Sequence, residues 1–156
     1  MTATSRRSTT PLRKSALVPQ PPEDAFRIFV DDIAAWWPLA SHSVGRERAT
    51  AVVFEHGLGG RIVETYGDGD TAVWGTVTAW DPPNRVRFSW HPGTPEPEAT
   101  EVEVTFIGDR HGGTRVELTH SGWDNRPDGA DARSSYDSGW DLVFGAYAHL
   151  AAGALT

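Results

Sequence analysis

The chain contains no cysteine. That excludes a disulfide framework, thiolate catalysis and the common cysteine-bearing zinc sites. It also contains no apolar run near the roughly 20 residues a membrane helix needs. Its start, MTATSRRSTTPLRK, lacks the apolar segment of a secretory signal. A cytoplasmic protein without a transmembrane segment is expected. Basic residues are scarce outside that start: beyond Lys14 only 10 basic residues face 21 acidic ones, a formal charge near −11. Such a body offers no cationic footprint for phosphates, so nucleic acid is not an expected partner. At 38% hydrophobic residues over 156 positions, composition fits one globular domain with a core. Residues 1–10 are expected to form a disordered leader and residues 11–156 a single domain.

What the chain has in abundance is tryptophan, seven in all. Leu12 to Val18 reads as a first strand, closed by Pro19, Pro21 and Pro22. Pro22 suits a first helical position, and Glu23 and Asp24 complement the positive end of the helix dipole. Phe26, Phe29, Val30, Ile33 and Trp37 then recur at helical spacing, with Pro38 as the stop and Asp31-Asp32 as a break into two short helices. Trp36 and Trp37 point about 100° apart on a helix, so only one is expected to face the core.

From Thr50 the period changes to two. Segments at 50–56, 60–66, 71–80, 84–91, 100–107 and 113–121 are separated by Gly, Pro, Asp and Asn turns, which implies an antiparallel meander. Val86, Phe88 and Trp90 share one face; so do Val102, Val104 and Phe106, and Val116, Leu118 and His120. One face is dry and one wet, so the sheet is covered on one side. The cover is a helix over about 131–152, with Asp128 as a candidate cap and Tyr136, Trp140, Val143, Phe144, Tyr147 and Leu150 as its apolar stripe. Gly139 and Gly145 interrupt it at up to ~1 kcal/mol each relative to alanine, which close packing would explain.

The predicted class is therefore α+β: a helix-grip fold, a curved antiparallel sheet of six to seven strands around a long C-terminal helix, with two short helices after the first strand. Particular residues carry a resemblance. They are Ala25-Phe26 through Trp36-Trp37-Pro38 to His42-Ser43, Phe54-Glu55 with Gly59-Gly60-Arg61 and Glu64, and Trp74-Gly75-Thr76-Val77. Trp80-Asp81-Pro82-Pro83-Asn84-Arg85-Val86, Thr114 to His120, Gly122-Trp123 and Gly139-Trp140 complete the set. In this order they resemble the START-like (SRPBCC, Bet v 1-like) superfamily, in the branch named for the activator of Hsp90 ATPase. The resemblance covers about residues 12–152. It implies a cavity between sheet and helix for lipids, sterols, polyketides or other hydrophobes. It also admits cyclase or aromatase activity, or a cochaperone-like role.

No nucleophile elbow, zinc helix or phosphate-binding loop is present. Gly67-Asp68-Gly69-Asp70 lacks calcium-loop spacing and reads as a hairpin turn. Among polar residues, His120 and Glu64 fall in phase with buried positions. Each is either a ligand-directed acid or base, or a side chain satisfied within the core. Glu64 would need Tyr66, an arginine or His120 as its partner. His42, Glu55 and His56 show no metal-site spacing, and His91, His111 and His149 are expected in water. The expected ligand wall is Trp37, Trp74, Phe88, Trp90, Leu118, His120, Tyr136, Trp140 and Phe144, which either line a cavity or fill a core. The leading expectation is binding of a small hydrophobic or amphipathic molecule, with enzymatic turnover less favoured. No cofactor or metal is called for, a protein partner is an alternative, and a monomer or weak homodimer is expected.

Overall fold

The computed structural model describes residues 9–153. The expected leader falls mostly outside them; of it, Thr10 offers its carbonyl oxygen to Arg133 at 2.5 Å. Strand β1 (Leu12–Val18) leads into helices α1 (Pro22–Asp31) and α2 (Ile33–Trp36). Strands β2 (Ala49–Phe54), β3 (Arg61–Tyr66), β4 (Asp70–Asp81), β5 (Arg85–Trp90), β6 (Thr100–Gly108) and β7 (Thr114–Ser121) follow, then helix α3 (Gly129–Gly153). The sheet has seven strands in the order β1-β7-β6-β5-β4-β3-β2, every neighbouring pair antiparallel.

Alternation puts Val86, Phe88, Trp90, Val102, Val104, Phe106, Val116, Leu118 and His120 on the buried face. The register aligns them in rows: Phe88 lies opposite Val102, and Val102 opposite His120. The sheet curves because β4 pairs with β3 through its first half and with β5 through its second, with register breaks at Ile62/Val63 and Val77/Ala79. At this bend Gly75 is obligatory, since a Cβ there would lie 1.7 Å from the carbonyl oxygen of Ser89.

Two layers fill the concave side. The α1 stripe places Phe26 and Phe29 against Phe106, with ring centroids 5.1 and 5.9 Å apart. Tyr147 of α3 meets Phe29 at 5.3 Å and donates its hydroxyl to the carbonyl oxygen of Ala25 at 2.8 Å. Edge and tilted contacts of this kind add roughly 0.5–1.5 kcal/mol each beyond the area they bury. Outside, Lys14 of β1 reaches Asp137 and Asp141 of α3 at 2.5 and 2.8 Å. No helix among the described residues is long and apolar enough to cross a membrane.

Four local expectations change. Trp36 and Trp37 are both buried, at 4% and 9% exposure, because the helix stops between them. Trp37 adopts φ −72°, ψ 127°, the extended conformation a following proline imposes. The 100° argument therefore does not apply. Helix α3 starts two residues earlier than the pattern suggests, with Gly129 packed against the carbonyl of Trp123. The Asp128 side chain serves Arg126 instead of a cap, accepting bonds of 2.8 and 3.0 Å. His91 is buried rather than in water, its backbone N–H donating to the Trp74 carbonyl at 2.6 Å. His111 and His149 are exposed.

Candidate functional site

Between the concave sheet, α3 and the segment that follows α2 lies a cavity of about 430 Å³. Its wall is Trp37, Trp74, Trp90, Tyr136, Trp140 and Val143, and its rim is Ser41, His42, Ser43, Val44, Arg46, Pro92, Gly93, Ser135 and Gly139. The wall holds itself together. Trp37 sits 4.9 Å from Trp74, 5.7 Å from Trp90 and 5.9 Å from Trp140. Trp90 lies 5.7 Å from Trp74 and 5.9 Å from Trp140.

Each of these four indole N–H groups is spent inside the protein. Trp37 donates to the His42 carbonyl oxygen at 2.6 Å, Trp74 to Glu64 Oε1 at 2.8 Å, Trp90 to the Tyr136 hydroxyl at 3.1 Å and Trp140 to His120 Nδ1 at 2.9 Å. What the wall presents to a guest is therefore ring surface. Hydrogen bonding is left to the rim.

The two buried polar residues flagged by strand phase act behind this wall. His120 is fully buried. An indole N–H can only donate, so Nδ1 accepts from Trp140 and the neutral ring carries its proton on Nε2. That proton goes to Thr100 Oγ1 at 2.6 Å, and the threonine hydroxyl passes on to the Trp90 carbonyl at 3.2 Å. Trp123 covers the ring, with centroids 4.0 Å apart. Burial, with a smaller contribution from the Arg126 charge, pulls the His120 pKa down to about 3. Both nitrogens are engaged, and neither is directed into the cavity.

Glu64 is also fully buried. Oε1 accepts from Val44 N–H at 2.9 Å and from Trp74 Nε1; Oε2 accepts from Gly45 N–H at 2.8 Å. It ties the cavity floor to the rim segment. Its partners are not Tyr66, an arginine or His120. Close packing completes the anchor: a Cβ on Gly45 would lie 2.4 Å from Cβ of Tyr66. Glu64→Gln puts an amide N–H2 where an acceptor is required, turning one bond into a donor–donor clash. A loss of about 2 kcal/mol is expected in urea unfolding; an unchanged midpoint would deny the anchor.

A smaller cavity of about 260 Å³ adjoins the first, sharing Pro92, Ser135 and Tyr136 and bounded by Thr94, Arg126, Asp128, Asp131 and Ala132. Among the described residues no cluster of three or more potential metal ligands occurs. His56 instead pairs with Asp31 at 2.5 Å and packs at a tilt against Trp80, ring centroids 5.2 Å apart, outside the cavity lining.

Residues 19–151 match the family described as activator of Hsp90 ATPase homolog 1-like protein. The chain belongs to this family. Among solved structures, it is 35% identical to an anthrahydroquino-γ-pyrone synthase, covering 80% of this chain and 84% of the synthase with a TM-score of 0.58. A self-sacrificing resistance protein from Micromonospora echinospora superposes with a TM-score of 0.65 at 22% identity, covering 92% and 94% of the two chains. An Hsp90 activator from Plasmodium falciparum gives 0.51 at 22% identity, covering 75% and 74%. These last two likenesses concern the fold alone. No curated protein matches the sequence.

Within this Hsp90-activator-like fold the expected wall divides in two. Trp37, Trp74, Trp90, Tyr136 and Trp140 come together around the cavity. Phe88, Leu118 and Phe144 belong to the hydrophobic core and His120 is a buried polar residue; none of the four is part of the lining. The rim was not assigned from the sequence: His42 and Ser43 entered only through the resemblance and a metal spacing that failed, and Gly139 only as a packing position. Ser41, His42 and Arg46 lie in a stretch without periodicity, and its only signal was the turn-rich composition after Pro38. Gly139 was expected to permit close packing. A Cβ there meets nothing within 4 Å, and the residue opens the cavity instead.

Proposed function

We propose that the protein binds a planar aromatic small molecule of the polyketide kind, bearing hydroxyl or carbonyl groups, between the sheet and α3. The observation that carries this reading is the wall of four indoles whose N–H groups are already satisfied. Such a wall gains most from a flat apolar guest, with rim polar groups left to orient it. The volume lies within the range of small-molecule sites, about 300–1,000 Å³. The 35% identical relative, an anthrahydroquino-γ-pyrone synthase, supports the same class of guest.

Emodin, a trihydroxyanthraquinone, serves as a probe. At about 0.3 kcal/mol for each of its roughly 20 non-hydrogen atoms it should bind with a dissociation constant in the tens of micromolar. The expected result is saturable quenching of tryptophan fluorescence with that midpoint. Linear, non-saturating quenching would count against the proposal. A second reading, ring-forming turnover of the same guest, is favoured by the synthase relationship; it needs a proton-transferring group at the cavity.

A further inference from the structure

The two residues singled out by strand phase are occupied elsewhere, so the cavity's acid–base chemistry must come from its rim. Three ionisable side chains line the cavity: His42 and Arg46 on the rim and Tyr136 in the wall. Arginine stays charged at any relevant pH. The Tyr136 hydroxyl is held protonated by burial and already accepts the Trp90 N–H. Of the three, only His42 carries an imidazole, whose two ring nitrogens can donate and accept a proton at once.

Its placement is specific. The Trp37 indole holds the His42 carbonyl oxygen at 2.6 Å, fixing the backbone against the cavity wall. Nδ1 lies 2.7 Å from Ser41 Oγ, and that hydroxyl is 3.5 Å from the Pro38 carbonyl oxygen. In the tautomer whose Nδ1–H donates to Ser41 Oγ, Nε2 keeps its lone pair. Among the described residues Nε2 has no hydrogen-bond partner. The charged groups around it are few. Arg46 shares the rim, Glu64 lies under the loop bound to Val44 and Gly45, and α3 presents Tyr136. Arg126, Asp128 and Asp131 border the adjoining cavity, and the β5 side contributes only Pro92 and Gly93 to the rim.

Resting on the binding reading above, we propose that His42 is the proton acceptor of this cavity, taking the acidic proton of a phenolic or enolic hydroxyl on the bound aromatic. The O–H bond of the guest breaks, an N–H bond forms at Nε2, and the electron pair stays on the guest oxygen as a phenolate or enolate. The imidazolium and the Arg46 guanidinium offset its charge. No oxidant, metal or co-reactant is needed, and an oxygen so activated is the nucleophile a ring closure requires.

Emodin reports this step directly, because its absorbance moves to longer wavelength on ionisation. Titrating the complex with base, the colour change of emodin on the wild-type protein is expected at least about one pH unit below that on His42→Gln. Ser41→Ala should fall between them. Fluorescence quenching in the same samples measures the emodin occupancy of each variant, and the transitions are compared at saturating emodin. Equal transition pH on wild type and His42→Gln, both bound, would overturn the assignment while leaving binding intact. Absence of saturable quenching by wild type would remove the binding reading, and the assignment with it.

Discussion

Gly139→Leu is expected to weaken emodin binding at least about 30-fold, about 2 kcal/mol, while the protein becomes more stable. The position lies inside α3, on the cavity rim, with open space where a side chain would go. A leucine there extends over the indole wall and occupies volume a planar guest requires. Glycine inside a helix costs about 0.8–1 kcal/mol relative to good helix formers, so the substitution should raise Tm by about 2–4 °C. Gly145→Leu is the matched control. It sits in the same helix, is equally uncrowded and does not line the cavity. It should give the same rise in Tm with unchanged binding. Loss of affinity in both variants, or in neither, would separate the cavity from the function assigned to it.

The second large effect is acid sensitivity from His120. Its folded-state pKa, near 3, lies below the ordinary histidine value of 6.5. Above pH 6.5 both folded and unfolded chains hold it neutral, so it contributes no pH dependence. As pH falls through 6.5 the unfolded chain takes up a proton that the folded chain refuses. Stability then declines by about 1.4 kcal/mol per pH unit, to about 4 kcal/mol by pH 3, where the folded form protonates as well. His120→Gln should lose about 1–2 kcal/mol at pH 7 through impaired bonding to Trp140 and Thr100. It should also have a flatter slope between pH 6 and 3, since glutamine does not titrate. Exposed carboxylates contribute to acid unfolding in both proteins and cancel in the comparison. Parallel slopes in urea unfolding across this window would show that His120 is not held neutral.

The elements most legible in the sequence are those whose signal is periodic. Val102, Val104 and Phe106 announce a half-buried strand by themselves, and the glycine and proline clusters between such runs mark the hairpins. The split between α1 and α2 was visible in Asp31-Asp32 and the terminal Pro38. The same proline also carried the cue that Trp37 would leave the helix, which a purely helical angle argument passes over. His120 and Glu64 were placed inward correctly by strand phase. Their partners were not legible, because Val44, Gly45 and Trp140 approach from segments related to them only by tertiary packing. The same cause hides the rim. Ser41, His42 and Arg46 have no repeating pattern, and their position depends on Glu64 holding the loop from beneath. Gly139 shows the limit most plainly: a helical glycine reads identically whether it admits a neighbour or leaves a void.

The most direct test of an aromatic guest against the indole wall is two-dimensional 1H–15N NMR of the seven tryptophan side chains during an emodin titration. Saturable shifts are expected for the indole N–H signals of Trp37, Trp74, Trp90 and Trp140, with Trp36, Trp80 and Trp123 nearly unmoved. No saturable shift in the first four, or shifts confined to Trp80, which does not line the cavity, would contradict a ligand cavity between sheet and helix.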